Sequence, residues 1–236
     1  MQGGRSIATP AYIGGVSLGA VVAAGFMWWT GAPAASLGTV VVVTALAAVA
    51  HAYPIQGFRH QAYQVTLPLI VIAAAAFSAP QLVAFILLIH LAEQARLRRR
   101  LYIQWFNACN YLMSAAIASV LYHRAAALLP HGAPGQLIGA VAAACSFILV
   151  NRLLLAGVLW LARGLSPASS GLFQPELLAA DLVIAWIAGP MLVVALDAGS
   201  FTLLFSAGPL LLARPALSSL IGRRTPSMRP PLSRAA

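Results

Sequence analysis

Apolar residues run through this chain in long blocks, at about 11–30, 36–53, 64–78, 80–95, 101–122, 137–161, 176–197 and 199–213, with short polar breaks between them. None of the blocks alternates with the period of two that marks a half-buried strand or a membrane barrel. A helix rises about 1.5 Å per residue, so roughly 20 apolar residues cross a hydrocarbon core of about 30 Å. Several blocks reach that length. Those at 64–78, 80–95 and 199–213 fall short, and Ala79-Pro80 and Asp197-Ala-Gly-Ser200 break them from their neighbours. Such short pieces are tilted helices, half-spans or parts of a broken helix buried against other helices. The pattern predicts an all-α, polytopic helical membrane protein of six to eight transmembrane or partial-span segments, six of them principal helices. Residues 1–214 form one bundle in this reading. Residues 215–236 are rich in Pro and Arg, have no apolar period, and are expected to form a disordered cytoplasmic tail.

Composition makes the membrane assignment hard to avoid. Hydrophobic residues make up 61% of the chain and charged residues 8%, with a mean hydropathy of +0.88. Soluble domains carry roughly a quarter charged residues, so this chain lacks the means to cover itself with a solvated surface. The formal net charge is +10 and the chain contains no lysine, so arginine supplies every fixed positive charge. In a soluble protein that balance would suggest nucleic acid. Here the arginines cluster at the ends of apolar blocks, which points to anionic lipid headgroups and to no nucleic-acid partner. Cys109 and Cys145 both lie within apolar blocks and read as small buried hydrophobes. The first block is too long for a signal-peptide core and is expected to stay as a helix.

The arginines also predict an orientation. With the N-terminus inside and the blocks alternating, Arg5, Arg59, the cluster Arg96-Leu-Arg98-Arg99-Arg100, Arg163, Arg214 and the tail arginines fall on one side, and only Arg124 falls opposite. The positive-inside rule then puts both termini in the cytoplasm of a bacterial inner membrane.

Ionisable and amide side chains inside apolar blocks are the candidate chemistry, because each costs several kcal/mol in lipid unless paired or hydrated (about 2.5–3.5 on insertion scales). Arg152 and its neighbour Asn151 sit near the middle of 137–161, and Asp181 lies about two turns into 176–197. An Arg152–Asp181 ion pair would fix the register of consecutive helices. Alternatively Arg152, with Asn151 and Asn107, lines a polar cavity for an anionic or carbonyl-bearing ligand, or it snorkels to the interface. The expected polar cluster is therefore Asn107, Asn151, Arg152 and Asp181. Asn110 is three residues from Asn107 and on the same helix face, where interhelical hydrogen bonding is the plainer role. His90 and Glu93 share a face near the cytoplasmic end of their block. They form a proton-sensitive pair, or Glu93 pairs with the adjoining arginines. His51 and His60 lie near the inner interface and attract no special role. Gly14, Gly15 and Gly19 suggest close helix packing.

Enzyme signatures are missing. The chain's Gly-x-Ser-x-Gly match, Gly15-Val-Ser-Leu-Gly19, lies inside an apolar block and not at a strand-to-helix nucleophile elbow, and there is no His-Glu-x-x-His, no paired intramembrane aspartates and no phosphate-binding glycine loop. Four acidic residues leave little for acid–base work. The expectation is a non-enzymatic protein without cofactor, and without a metal site, since no His-x-x-x-His spacing occurs.

The order of features over about two-thirds of the chain carries a resemblance. A proline-containing entry (Ala52-Tyr-Pro-Ile55) leads to a hairpin with a small-Pro turn (Ala79-Pro80), then to the arginine-rich stretch and a Phe106-Asn107 pair. A Val150-Asn151 step and a run ending at Leu211–Arg214 follow. This resembles the membrane-embedded N-terminal sensor region found ahead of bacterial HD-GYP and GGDEF signalling domains. The resemblance implies a bundle of about six helices, loosely like the substrate-binding components of energy-coupling-factor vitamin transporters, that senses a small molecule or a membrane condition. It departs where that family continues into a catalytic domain, since Pro215 and the Pro/Arg tail stand there instead. A separate cytoplasmic output protein would then be a partner. The alternative is a small-molecule binding or transport subunit that works with an energising protein.

Overall fold

The computed structural model describes residues 5–31, 34–53, 55–56, 62–63, 66–128, 132–205 and 207. Seven helices carry the fold: α1 (Arg5–Thr30), α2 (Leu37–Ala52), α3 (Leu67–Ala76), α4 (Ala79–Leu97), α5 (Leu101–Leu128), α6 (Ala133–Arg163) and α7 (Pro175–Asp197), followed by a 3-10 turn at Ser200–Thr202. A two-residue antiparallel pairing, Ile55 with Tyr63 and Gln56 with Ala62, lies between α2 and α3. The proposed tail at 215–236, Arg59, His60, His131, Arg214 and residues 206 and 208–213 of the 199–213 block lie outside the described residues.

Helix limits follow from local chemistry. Ser36 caps α2, its Oγ accepting the Thr39 N–H at 3.2 Å. Ser78 and Gln81 form a reciprocal capping box at the start of α4, with Pro80 in the first turn. Gln81 also reaches sideways: its amide holds both the N–H (3.0 Å) and the carbonyl (2.8 Å) of Ala35. α6 ends at Gly164 in the left-handed region, φ 68°, with the Gly164 N–H returning to Trp160. α4 ends on Arg98 at φ 47°, so one arginine of the basic cluster forms the left-handed cap of the α4–α5 turn.

α3 is the centre of the bundle. Its ten residues are apolar on every side, and Leu67 through Ala74 are buried. α2, α5, α6 and α7 pack around it, α5 lies most extensively on α6, and α1 leans on α5 and α6 from outside. At about 15 Å long it is half a hydrocarbon core, so the 64–78 block becomes a buried plug rather than a lipid-facing span. The glycine reading needs correction. Gly14 and Gly15 face open space, and only Gly19 abuts another helix, at Met113, because α1 sits on the periphery.

Several polar side chains are buried in the apolar bundle, and many large apolar ones are exposed. His90, Glu93, Asn110, Asn151, Arg152 and Asp181 are buried, while Val22, Trp29, Leu153, Trp160, Val183 and Trp186 are exposed. Among the described residues, three helices are long and apolar enough to cross a membrane: Ile7–Thr30, Ala133–Arg163 and Pro175–Asp197. α2 and α3 are apolar but shorter. The bundle has two distinct ends. The starts of α2 and α4 meet through Gln81, and Ser200 joins them by donating to Thr39 at 3.2 Å. Away from them, the end of α2 meets the end of α4 and the start of α5, and Tyr12 of α1 donates to the Leu154 carbonyl of α6 at 3.0 Å. Arg96, Arg98, Arg99, Arg100 and Arg163 share this second, arginine-bearing end, and Arg124 lies towards the other.

Candidate functional site

Two buried polar groups sit between the helices. The first joins α5, α6 and α7. Arg152 donates through Nε to Asp181 Oδ2 at 3.0 Å, and Nη2 contacts the same oxygen. Both side chains are buried, and Arg152 Nη1 has no partner. Beside it, at the residue preceding Arg152, Asn110 Nδ2 donates to Asn151 Oδ1 at 2.7 Å, and Ser114 donates to Asn110 Oδ1 at 3.3 Å. Asn107 is not part of this group. It is half-buried with no side-chain hydrogen bond among the described residues, and Asn110 takes the place next to Asn151 that the sequence reading gave to Asn107. Three residues on an α-helix turn about 300°, and only Asn110 points into the α6 seam.

The second group joins the ends of α2, α4 and α5 near the arginine-bearing end. His51 Nε2 lies 3.3 Å from His90 Nδ1 and 3.4 Å from Glu93 Oε2, and His90 Nδ1 lies 3.5 Å from the same oxygen. Gln104, in the first turn of α5, donates to Glu93 Oε2 at 3.0 Å and to the His90 carbonyl at 2.8 Å. Arg99 reaches the other carboxylate oxygen, Oε1, at 3.1 Å. Tyr111 packs edge-on against both imidazoles, with centroids 5.3 Å and 4.8 Å away, and against Phe147 of α6 at 5.3 Å. Arg96 closes the site from the end, stacked 3.6 Å over the Tyr53 ring with a hydrogen bond to the Ala52 carbonyl.

The sequence points to His90 and Glu93 here, but not to His51, Gln104 or Tyr111. His51 is 39 positions from His90 on a different helix, so no spacing rule pairs them. A signal was present nonetheless: His51, Glu93 and Gln104 each lie about one turn from the arginine-bearing end of an apolar helix. The expectation of no metal site rests on spacing along one helix, which takes no account of donors brought together from two helices. The donor atoms of His51, His90 and Glu93 all lie within 4.8 Å of one another, the one such group among the described residues.

Beside this group a groove of about 490 Å³ opens between α4 and α5, walled by Leu87, Leu91, Leu101, Tyr102 and Trp105, with His90 and Gln104 also lining it. His90 Nε2 and Gln104 Oε1 are buried and carry no partner.

The fold and the sites define a helical bundle with membrane-compatible spans and an interior polar network. No family model, curated protein or solved structure matches the chain.

Proposed function

We propose that this chain is a non-enzymatic integral membrane protein of the sensor type, set in a bacterial cytoplasmic membrane through six to eight spanning or partial-span segments with both termini inside. A small molecule, or a change in lipid packing, shifts the interior polar balance and moves the arginine-bearing helix ends. A separate cytoplasmic protein reads that movement, and anionic lipids hold the arginines at the interface. The observation that carries this reading is the buried network tying α2, α4 and α5 to Arg99, because it links interior chemistry directly to the α4–α5 turn.

Spin labels at Arg98→Cys and Ser166→Cys, with Cys109 and Cys145 replaced by Ala, test the coupling. Glu93→Gln should shift the distance distribution between the two turns. An unchanged distribution in lipid sinks the sensor reading.

The α4–α5 groove favours a second reading, a binding or transport subunit that admits its substrate sideways from the membrane. That subunit should co-purify with an ATPase module, which a sensor should not.

A further inference from the structure

The distances within the His51–His90–Glu93 group are not those of a hydrogen-bonded triad. An imidazole N–H to a carboxylate closes to roughly 2.7–2.9 Å when charge assists it, and ordinary N–H···O bonds lie within about 2.7–3.2 Å. The three separations here are 3.3, 3.4 and 3.5 Å. Four-coordinate zinc with nitrogen and oxygen ligands at about 2.0–2.1 Å spaces its ligand atoms about 3.3–3.4 Å apart. The triangle of donor atoms therefore has the edges of a tetrahedral metal site, and a single ion above its face reaches all three.

We infer that His51 Nε2, His90 Nδ1 and Glu93 Oε2 bind one divalent first-row transition-metal ion at the arginine-bearing end of the bundle. Two imidazoles and a carboxylate suit Zn²⁺, Fe²⁺, Co²⁺ or Ni²⁺, and the absence of thiolate and of multiple carboxylates disfavours Cu⁺ and Ca²⁺. The surroundings fit. Three helices supply the ligands and supporting residues, so the set is held by tertiary packing rather than by a loop. Gln104 fixes the Glu93 oxygen at 3.0 Å and lies 3.2 Å from His90 Nδ1, beside the fourth corner. Water from the groove fills this corner. Arg99 on Oε1 orients the carboxylate so that Oε2 faces the imidazoles, the outer-shell task that metal sites need. Ligation through Nδ1 leaves His90 Nε2–H as a buried donor without a partner, on a residue that lines the groove.

This inference stands on the donor geometry and does not need the sensor reading. Full-length protein in detergent, stripped with chelator, is titrated with Zn²⁺ by calorimetry and with Co²⁺ by visible absorption. One ion per chain is expected, with the strong d–d bands of four-coordinate Co²⁺. His90→Ala and Glu93→Gln should each weaken binding by more than the roughly 10–100-fold that an outer-shell change costs, and Gln104→Leu by about 10-fold. His123→Ala, far along α5, should leave binding unchanged. No stoichiometric uptake by the wild-type chain, or uptake that survives His90→Ala, overturns the site. If the ligand variants do not fold, X-ray absorption of the Zn²⁺-loaded wild type decides instead. Two imidazoles with oxygen are expected, and a first shell containing sulfur or lacking imidazole overturns the assignment.

Discussion

Arg152 and Asp181 have been taken out of water together, and each is tolerable there only because of the other. Removing one partner from a buried pair leaves an uncompensated charge and costs about 3–5 kcal/mol. Arg152→Met alone and Asp181→Leu alone should therefore both lower the detergent unfolding midpoint, and the double variant should recover most of the loss. Additive losses in that cycle would mean the two side chains do not act as a pair. The Asn110–Asn151 bond is a weaker link. Asn110→Leu should cost about 1 kcal/mol, near the middle of measured interhelical hydrogen bonds in membranes. Asn107→Leu, lacking a partner among the described residues, should be close to neutral by the same thermal measurement.

Helix contacts depend on where backbone comes close, and the sequence marks those places ambiguously. A Cβ placed on Gly139 would sit 3.0 Å from the Tyr122 ring and 3.3 Å from the Tyr122 carbonyl, so α5 and α6 touch there almost backbone to backbone. Gly139→Leu should push them apart and cost about 1–3 kcal/mol, as overpacking does. Gly14→Ala meets nothing and should gain up to about 1 kcal/mol from helix propensity. If the two substitutions have equal effects on thermal stability, the proposed seam is wrong. The α4–α5 turn holds Arg98 in the left-handed region, where a side chain costs roughly 1–2 kcal/mol. The short turn that results places Gln104 in the first turn of α5 and lets Arg99 reach back to Glu93.

At the scale of the bundle, large apolar side chains cover much of the exterior, and buried polar groups sit within an otherwise apolar core. All five tryptophans are more than half exposed. In vesicles of brominated lipid their fluorescence should be largely quenched. Strong residual emission would mean that another protein surface covers the apolar belt. In the proposed orientation, reporter fusions at residues 98 and 132 should report cytoplasmic and periplasmic positions respectively. A periplasmic residue 98 would reverse the proposed topology.

Local chemistry along the chain was enough to determine class and order. Apolar block length gives helices, Ser and Pro mark their starts, Gly164 marks one end, and the arginine spacing groups the basic residues at one end of the bundle. Arg152 and Asp181 were legible because each is a lone charge in an apolar run, and consecutive antiparallel helices bring them within reach. What the tertiary structure alone decided is which amides and histidines meet. Asn107 and Asn110 are equivalent as sequence, and only the rotation of α5 against α6 selects Asn110. His51, His90, Glu93 and Gln104 come from three helices, and their convergence follows from α2, α4 and α5 packing with those ends together around the short buried plug of α3. Periodicity reports which face of a helix is apolar, whereas a site built between helices depends on how those faces are turned toward one another.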